Sequence, residues 1–180
     1  IRLSERHDDQ GVFFRSLATR GALGGLSHQT EAAADVLDAA GFDVVLVETV
    51  GVGQGELDVA QAADTVLVVL VPESGDAVQA MKAGLMEIAD VFCVNKADNP
   101  DAAKLVNALR QVLRLRTVPA ENWNPPVVKT IATEADGLTP LLDALENHRQ
   151  VLLETGGWAQ ARAERLRRRV RTLVQQAWNE

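Results

Sequence analysis

Asp90-Val91-Phe92-Cys93-Val94-Asn95-Lys96-Ala97-Asp98-Asn99-Pro100 is the stretch that decides the fold. Its first half is apolar on consecutive positions, as a strand buried on both faces requires. It then turns polar at once. Asn99 reads as a helix cap, and Pro100 follows at the first helical position, where a missing N–H costs nothing. A buried strand that runs through a polar loop into a helix is half of a βαβ unit.

The same alternation extends in both directions. Downstream, a basic amphipathic helix runs to about Arg116, Pro125-Pro126 closes a loop, and Val127 to Ile131 forms a strand. Gly137 to Leu153 is helical, Gly156-Gly157 breaks it, and Trp158 to Trp178 reads as one more helix. Upstream, Thr65 to Val71 is a buried strand, Pro72 to Gly75 a loop, and Asp76 to Ile88 a helix. Asp43 to Val47 is a further β-branched strand, followed by the glycine-rich loop Gly51 to Gly55 and a short helix through Ala63. Before it, Ser27 caps an alanine-rich helix that Gly41 stops. Strands alternating with helices at this spacing predict an α/β fold, a mostly parallel sheet flanked by helices. Residues 1–155 are expected to form that domain, and residues 156–180 a C-terminal helical extension, a packing or dimerisation arm. Ligands of such sheets bind at the carboxyl ends of the strands. Every loop singled out below follows a predicted strand, so all fall on one edge.

Composition narrows the classes. The 180 residues are 47% apolar with a formal charge of -7, a balance that argues against a general nucleic-acid binder, which needs a basic face. The single cysteine, Cys93, lies in an apolar run and reads as a small buried hydrophobe; one cysteine excludes a disulfide framework or a thiolate cluster. No apolar run approaches the ~20 residues that cross a bilayer, and no secretory signal is present. The expected compartment is the cytoplasm, with no membrane or nucleic-acid partner.

Asn95-Lys96-Ala97-Asp98 carries the most specific chemistry. Guanine presents two donors side by side, its ring N1–H and its 2-amino group, and one carboxylate, Asp98, can accept both. Charge-assisted bonds of this kind contribute roughly 1.5–3 kcal/mol each. Adenine turns a bare ring nitrogen to the same carboxylate and is rejected by repulsion as well as by the missing bond. Lys96 can lay its methylene stem along the base, and Asn95 can tie neighbouring loops together. A polar turn with a helix cap is the plainer reading of these residue types, but not of four of them placed directly after a buried strand. After Val127 to Ile131, Ala132-Thr133 lies where a small residue lets a backbone N–H approach the guanine oxygen; an ordinary strand-to-helix connection explains it equally well.

Glu48-Thr49-Val50-Gly51 follows the strand Asp43 to Val47. Glycine lets a backbone N–H come close to a phosphate, which makes Gly51 a γ-phosphate sensor candidate. Glu48 is a candidate to hold Mg²⁺ through water, since that ion keeps several waters and takes few carboxylates. Gln54 can orient a water, although a solvent-facing glutamine fits as well. Asp76, Gln79 and Lys82 recur every three residues and share a helix face, which by itself is an ordinary polar face.

Taken together, Gly21-Ala22-Leu23-Gly24-Gly25, Val47-Glu48-Thr49-Val50-Gly51-Val52-Gly53-Gln54, Gly84-Leu85-Met86-Glu87-Ile88-Ala89-Asp90 and Asn95-Lys96-Ala97-Asp98 resemble the MeaB/ArgK GTPases. These are methylmalonyl-CoA mutase-associated proteins of the SIMIBI class of P-loop GTPases, called MMAA in animals. The similarity covers roughly residues 11–155 in the family's order. The resemblance implies a homodimeric GTPase that binds GTP/GDP and Mg²⁺. It also implies a chaperone role, in which nucleotide state gates cofactor delivery to, and protection of, an adenosylcobalamin-dependent mutase. Glu48 to Gln54 then resembles the second switch, with Glu48 and Gln54 as catalytic candidates. The segment with Asp76, Gln79 and Lys82 resembles the third, partner-coupling switch, and Lys82 is also a catalytic candidate.

One departure is large. The Gly-rich loop with Lys and Ser/Thr that cradles phosphates in every P-loop enzyme occurs nowhere in these residues. The chain starts at Ile1, part-way through the family pattern. The expectation is a longer protein with that loop upstream, this portion alone being inactive; a relative that kept the guanine loop but lost catalysis is the alternative. A nickel-enzyme maturation GTPase would need His- or Cys-rich sites, whereas His7, His28 and His148 are scattered beside one cysteine. The arginines from Arg165 to Arg171 alternate with an apolar stripe of Leu166, Val170, Leu173, Val174 and Ala177, which suits a helix packed on the domain or on a second subunit.

Overall fold

The computed structural model describes residues 9, 11–17, 28–49, 62–72, 84–115 and 123–179. They fall in two compact units, Ile1–Val59 and Ala60–Glu180.

In the first unit, helix α1 spans His28–Ala39. Gly41 ends it with φ 87°. The Phe42 N–H donates to Leu37 O at 3.2 Å and the Gly41 N–H to Asp38 O at 3.1 Å, which satisfies the last carbonyls in the pattern that a left-handed residue after a helix permits. The expected strand Asp43 to Val47 is not formed: residues 43–49 join no ladder among the described residues, and Val44 and Leu46 are 72% and 90% exposed. A β-branched run supplies the preference for extended backbone, but a strand exists only through a neighbour.

The second unit holds a parallel sheet of β1 (Leu67–Leu70), β2 (Val91–Val94) and β3 (Val127–Lys129), in that order. Leu67 pairs with Val91, and Phe92 with Val127. The sequence placed all three within a residue or two. Helices α2 (Leu85–Ile88) and α3 (Ala102–Leu115) share one core with the sheet. On α3 the buried residues are Ala102, Leu105, Val106, Leu109 and Leu113, a stripe at helical spacing. They meet Val68, Leu70, Phe92 and Val94 from the strands. Phe92, Leu109, Val91 and Val94 are sealed from solvent; burial of such side chains stabilises by about 1.5–3 kcal/mol each. Asn99 and Pro100, expected as cap and first helical residue, instead form a turn just ahead of α3: Asn99 Oδ1 accepts the Asp101 N–H at 2.8 Å and Asn99 O the Ala102 N–H at 3.0 Å.

The expected helix Asp76 to Ile88 does not run unbroken. Gly84 has φ 75° and caps the four-residue α2, and a left-handed residue cannot continue a right-handed helix. Residues 73–83 lie outside the described residues.

Helix α4 (Leu138–Glu154) packs on β2 and β3, and α5 (Gly157–Asn179) packs on α4 across Gly156, whose φ is 74°. Two arginines fasten the start of α5. Arg165 donates to Ala63 O at 2.8 Å and pairs with Asp64, which Arg162 also meets at 3.2 Å. Further along, Leu166, Val170, Leu173 and Val174 are exposed.

A polar cluster locks α4 to the amino ends of the strands. His148 on α4 is 4% exposed, with Nδ1 2.9 Å from Thr65 Oγ1 and Nε2 3.4 Å from Asp90 Oδ1. Asp90 Oδ2 accepts the Val66 N–H, and Trp123 donates to Asp90 O while its ring lies 5.0 Å from the imidazole. Burial pushes the His148 pKa below 6.5, and the Asp90 charge offsets only part of that. The folded state therefore binds fewer protons than the unfolded chain just below pH 6.5. The stability that neutral His148 contributes is complete above that pH and is lost as pH falls through the folded-state pKa. Thermal melts are expected to show Tm falling from pH 7.5 to 5.5, and His148→Gln should flatten that dependence. An equal fall in the variant would assign it to other groups.

Candidate nucleotide site

The polar loops after β2 and β3 lie side by side at the carboxyl edge of the sheet. β2 delivers Asn95, whose N–H donates to Leu70 O at 2.9 Å and so continues the ladder by one residue. Lys96 then takes φ 54°, a left-handed conformation uncommon for a residue with a Cβ. The turn drops Ala97 against the core and leaves Lys96 and Asp98 exposed. Asp98 makes no hydrogen bond or ion pair with another described residue, so its carboxylate is available to a ligand with paired donors.

The second loop is bonded to the first at three points. The Ala97 N–H donates to Thr130 O at 3.0 Å. Asn95 Oδ1 accepts both the Thr130 hydroxyl and the Ala132 N–H, each at 3.1 Å. The tie expected of Asn95 is thus present, and one amide holds the two loops in register. Ala132 is exposed at the start of a 3-10 turn, Ala132–Glu134. Its N–H, expected to face a guanine oxygen, is donated to Asn95 and could serve a base only by sharing that bond.

The loop after β3 returns on itself. Ile131 and Asp136 form an isolated bridge, with the Ile131 N–H on Asp136 O at 3.0 Å. Gly137 follows with φ 74°, so close to β3 that an added Cβ would fall 2.1 Å from Lys129 O. This close approach fixes where α4 begins and how the second loop sits.

Thr130 was missed by sequence reasoning. It is 2% exposed, donates its N–H to Val94 O at 2.9 Å, and lies 3.2 Å from the Cys93 thiol. As a β-branched residue ending a predicted strand, it reads as ordinary strand composition. Glu48 lies exposed in the first unit. Gly51, Gln54, Asp76, Gln79 and Lys82 lie outside the described residues. Among the described residues, no group of three His, Cys, Asp or Glu side chains could hold a metal ion, and no helix is long and apolar enough to cross a membrane.

A parallel α/β sheet that presents an Asn-Lys-x-Asp loop beside a second polar loop at its carboxyl edge has the architecture of the P-loop GTPase class. The chain belongs to the family described as methylmalonyl Co-A mutase-associated GTPase MeaB, whose model matches residues 1–180. A Pyrococcus abyssi protein, named provisionally as a GTPase, is 47% identical over 97% of this chain and 54% of its own length. The mitochondrial methylmalonic aciduria type A homolog of Mus musculus is 33% identical over 89% of this chain and 40% of its own. The crystal structure of an LAO/AO transport system kinase superposes with TM-score 0.73 at 28% identity, over 83% of this chain and 48% of that one. The chain therefore spans about half the length of these relatives.

Proposed function

We propose that this chain is the guanine-reading and switching portion of a GTPase that chaperones an adenosylcobalamin-dependent mutase. The observation that carries the base reading is the exposed Asp98 carboxylate, unpartnered among the described residues, on a loop braced by Asn95 against its neighbour. Asp98 accepts the paired donors of guanine, Lys96 covers one face of the base, and Asn95 sets the distance between the loops. The family's description supports a mutase of the methylmalonyl-CoA type as the protein served. Nucleotide state would gate cofactor delivery and protection, in a homodimer in the cytoplasm.

The remaining roles rest on the family pattern. Gly51 would sense the γ-phosphate and Glu48 would hold Mg²⁺ through water. Gln54 would orient the attacking water with Lys82 nearby, and Asp76, Gln79 and Lys82 would couple nucleotide state to the partner. Glu48 suits that ion, being an exposed carboxylate able to act through water. When bound, Mg²⁺ would neutralise charge on the phosphates.

These 180 residues contain no phosphate-cradling Gly-rich loop, so base contacts must carry the affinity. Isothermal titration with GTP is expected to give binding weaker than micromolar and negligible hydrolysis. At millimolar nucleotide, amide resonances of Asn95 to Asp98 and Thr130 to Glu134 should move with GDP and stay still with ADP. Equal response to both would overturn the guanine reading.

A further inference from the structure

The hydrogen bonds beneath the guanine loop have a direction. The Ala132 N–H can only donate, so the Asn95 side-chain atom 3.1 Å from it is the oxygen, Oδ1. The Thr130 hydroxyl, 3.1 Å from that same oxygen, must then also donate to it. Its one proton is committed, leaving lone pairs to face the Cys93 sulfur at 3.2 Å. A thiol therefore completes the chain as the donor, Cys93 S–H to Thr130 O–H to Asn95 Oδ1. Burial raises the Cys93 pKa above 9.0, the nearby hydroxyl offsetting only part of this, so the thiol keeps its proton at neutral pH.

This chain has a consequence at the surface. With both bonds taken on Oδ1, the Asn95 –NH₂ group has no acceptor among the described residues. No buried side-chain nitrogen or oxygen among them lacks a partner, so that –NH₂ reaches solvent at the edge carrying Asp98. An amide free to flip would present oxygen there half the time, and would lose the Ala132 loop whenever it did.

We propose that Thr130 is a positioning residue for base recognition, and that it acts with Cys93 behind it. Together they orient the Asn95 amide so that its –NH₂ group and the Asp98 carboxylate face a guanine base. The proposal rests on the guanine reading above and adds the pair that orients the reader. Thr130 suits the task because its backbone is also engaged, through Val94 O and the Ala97 N–H, so the hydroxyl cannot drift from Asn95.

The test uses the 180-residue protein with GDP and ADP as probes, followed by NMR titration and by the Asn95 side-chain amide resonances. Thr130→Val, which removes only the hydroxyl, should weaken GDP binding about fivefold to tenfold, as the loss of one such bond and an under-satisfied oxygen predicts. The loop resonances should stay still with ADP, as in the wild type. Thr130→Ser restores the hydroxyl and should bring GDP affinity back to within about twofold. Cys93→Ala leaves the hydroxyl but frees it to rotate, so the Asn95 –NH₂ resonances should move and GDP affinity should fall about twofold. GDP affinity unchanged in Thr130→Val overturns the proposal, as does loss in Thr130→Ser equal to that in Thr130→Val. If Thr130→Val does not fold, Cys93→Ala decides, and Asn95 resonances identical to wild type count against the proposal. Asp98→Asn is the separate control. If it leaves guanine preference intact, the guanine reading itself fails, whatever the Thr130 variants show.

Discussion

Asp98→Asn is expected to lower affinity for guanine nucleotides by about 100-fold, two decades in binding constant or roughly 2.7 kcal/mol. The carboxylate offers two acceptor oxygens to the adjacent N1–H and 2-amino donors of guanine, and each charge-assisted bond contributes roughly 1.5–3 kcal/mol. An asparagine keeps one acceptor and replaces the other with –NH₂, which meets a donor head-on. The loss therefore combines one missing bond with one repulsive contact. A xanthine base, with an oxygen where guanine has its amino group, matches the asparagine instead. Preference should thus move from GDP to the xanthine nucleotide rather than vanish, and competitive titration of the two reads this directly. Asp98 is exposed and makes no bond to a described residue, so the fold should melt as in the wild type. A uniform loss for both bases would mean that Asp98 shapes the loop instead of reading the base.

Gly137→Ala carries the largest expected cost in stability, about 3–5 kcal/mol. Two effects add. The residue has φ 74°, which any side chain disfavours, and its Cβ would lie 2.1 Å from Lys129 O and 3.0 Å from Thr130 Cα. Those neighbours are backbone atoms of β3 and of the residue just after it, so they cannot swing aside as a flexible side chain would. Gly84 isolates the first effect: its φ is 75°, yet nothing lies within 4 Å of the added atom. Gly84→Ala should cost only about 1–2 kcal/mol. Urea titrations of the two variants side by side measure the difference. Equal costs would show that α4 does not begin hard against β3. Any Gly137→Ala protein that does fold should also read guanine less well, because the displaced backbone includes Thr130.

Much of the second unit is legible in the sequence because the governing rules are local. The stripe Ala102, Leu105, Val106, Leu109 and Leu113 declares α3 by spacing alone. The Asn99-Pro100 turn leading into α3 and the break at Gly156 are visible as residue types near helix ends. The strands β1 to β3 show as apolar runs between turn residues. Asn95 to Asp98 also stand out, since their meaning depends on their order and on the strand before them. Where sequence reasoning erred, a local rule met a condition beyond its reach. Asp43 to Val47 has every mark of a strand but no ladder partner among the described residues. Asp76 to Ile88 reads as one helix because glycine is merely tolerated in helices, whereas Gly84 has adopted φ 75°.

The sequence by itself determined the class of sheet, the family and the loop proposed to read the base. Each of these is written in residues a few positions apart, whose interactions follow from backbone geometry. Only the tertiary structure decided what orients that loop. Asn95 meets Thr130 and Ala132 across 35 and 37 positions, and His148 meets Thr65 across 83. No periodicity encodes such pairs. They become neighbours when β3 aligns beside β2 and α4 covers both, and there a lone cysteine and a strand-end threonine join one hydrogen-bonded chain.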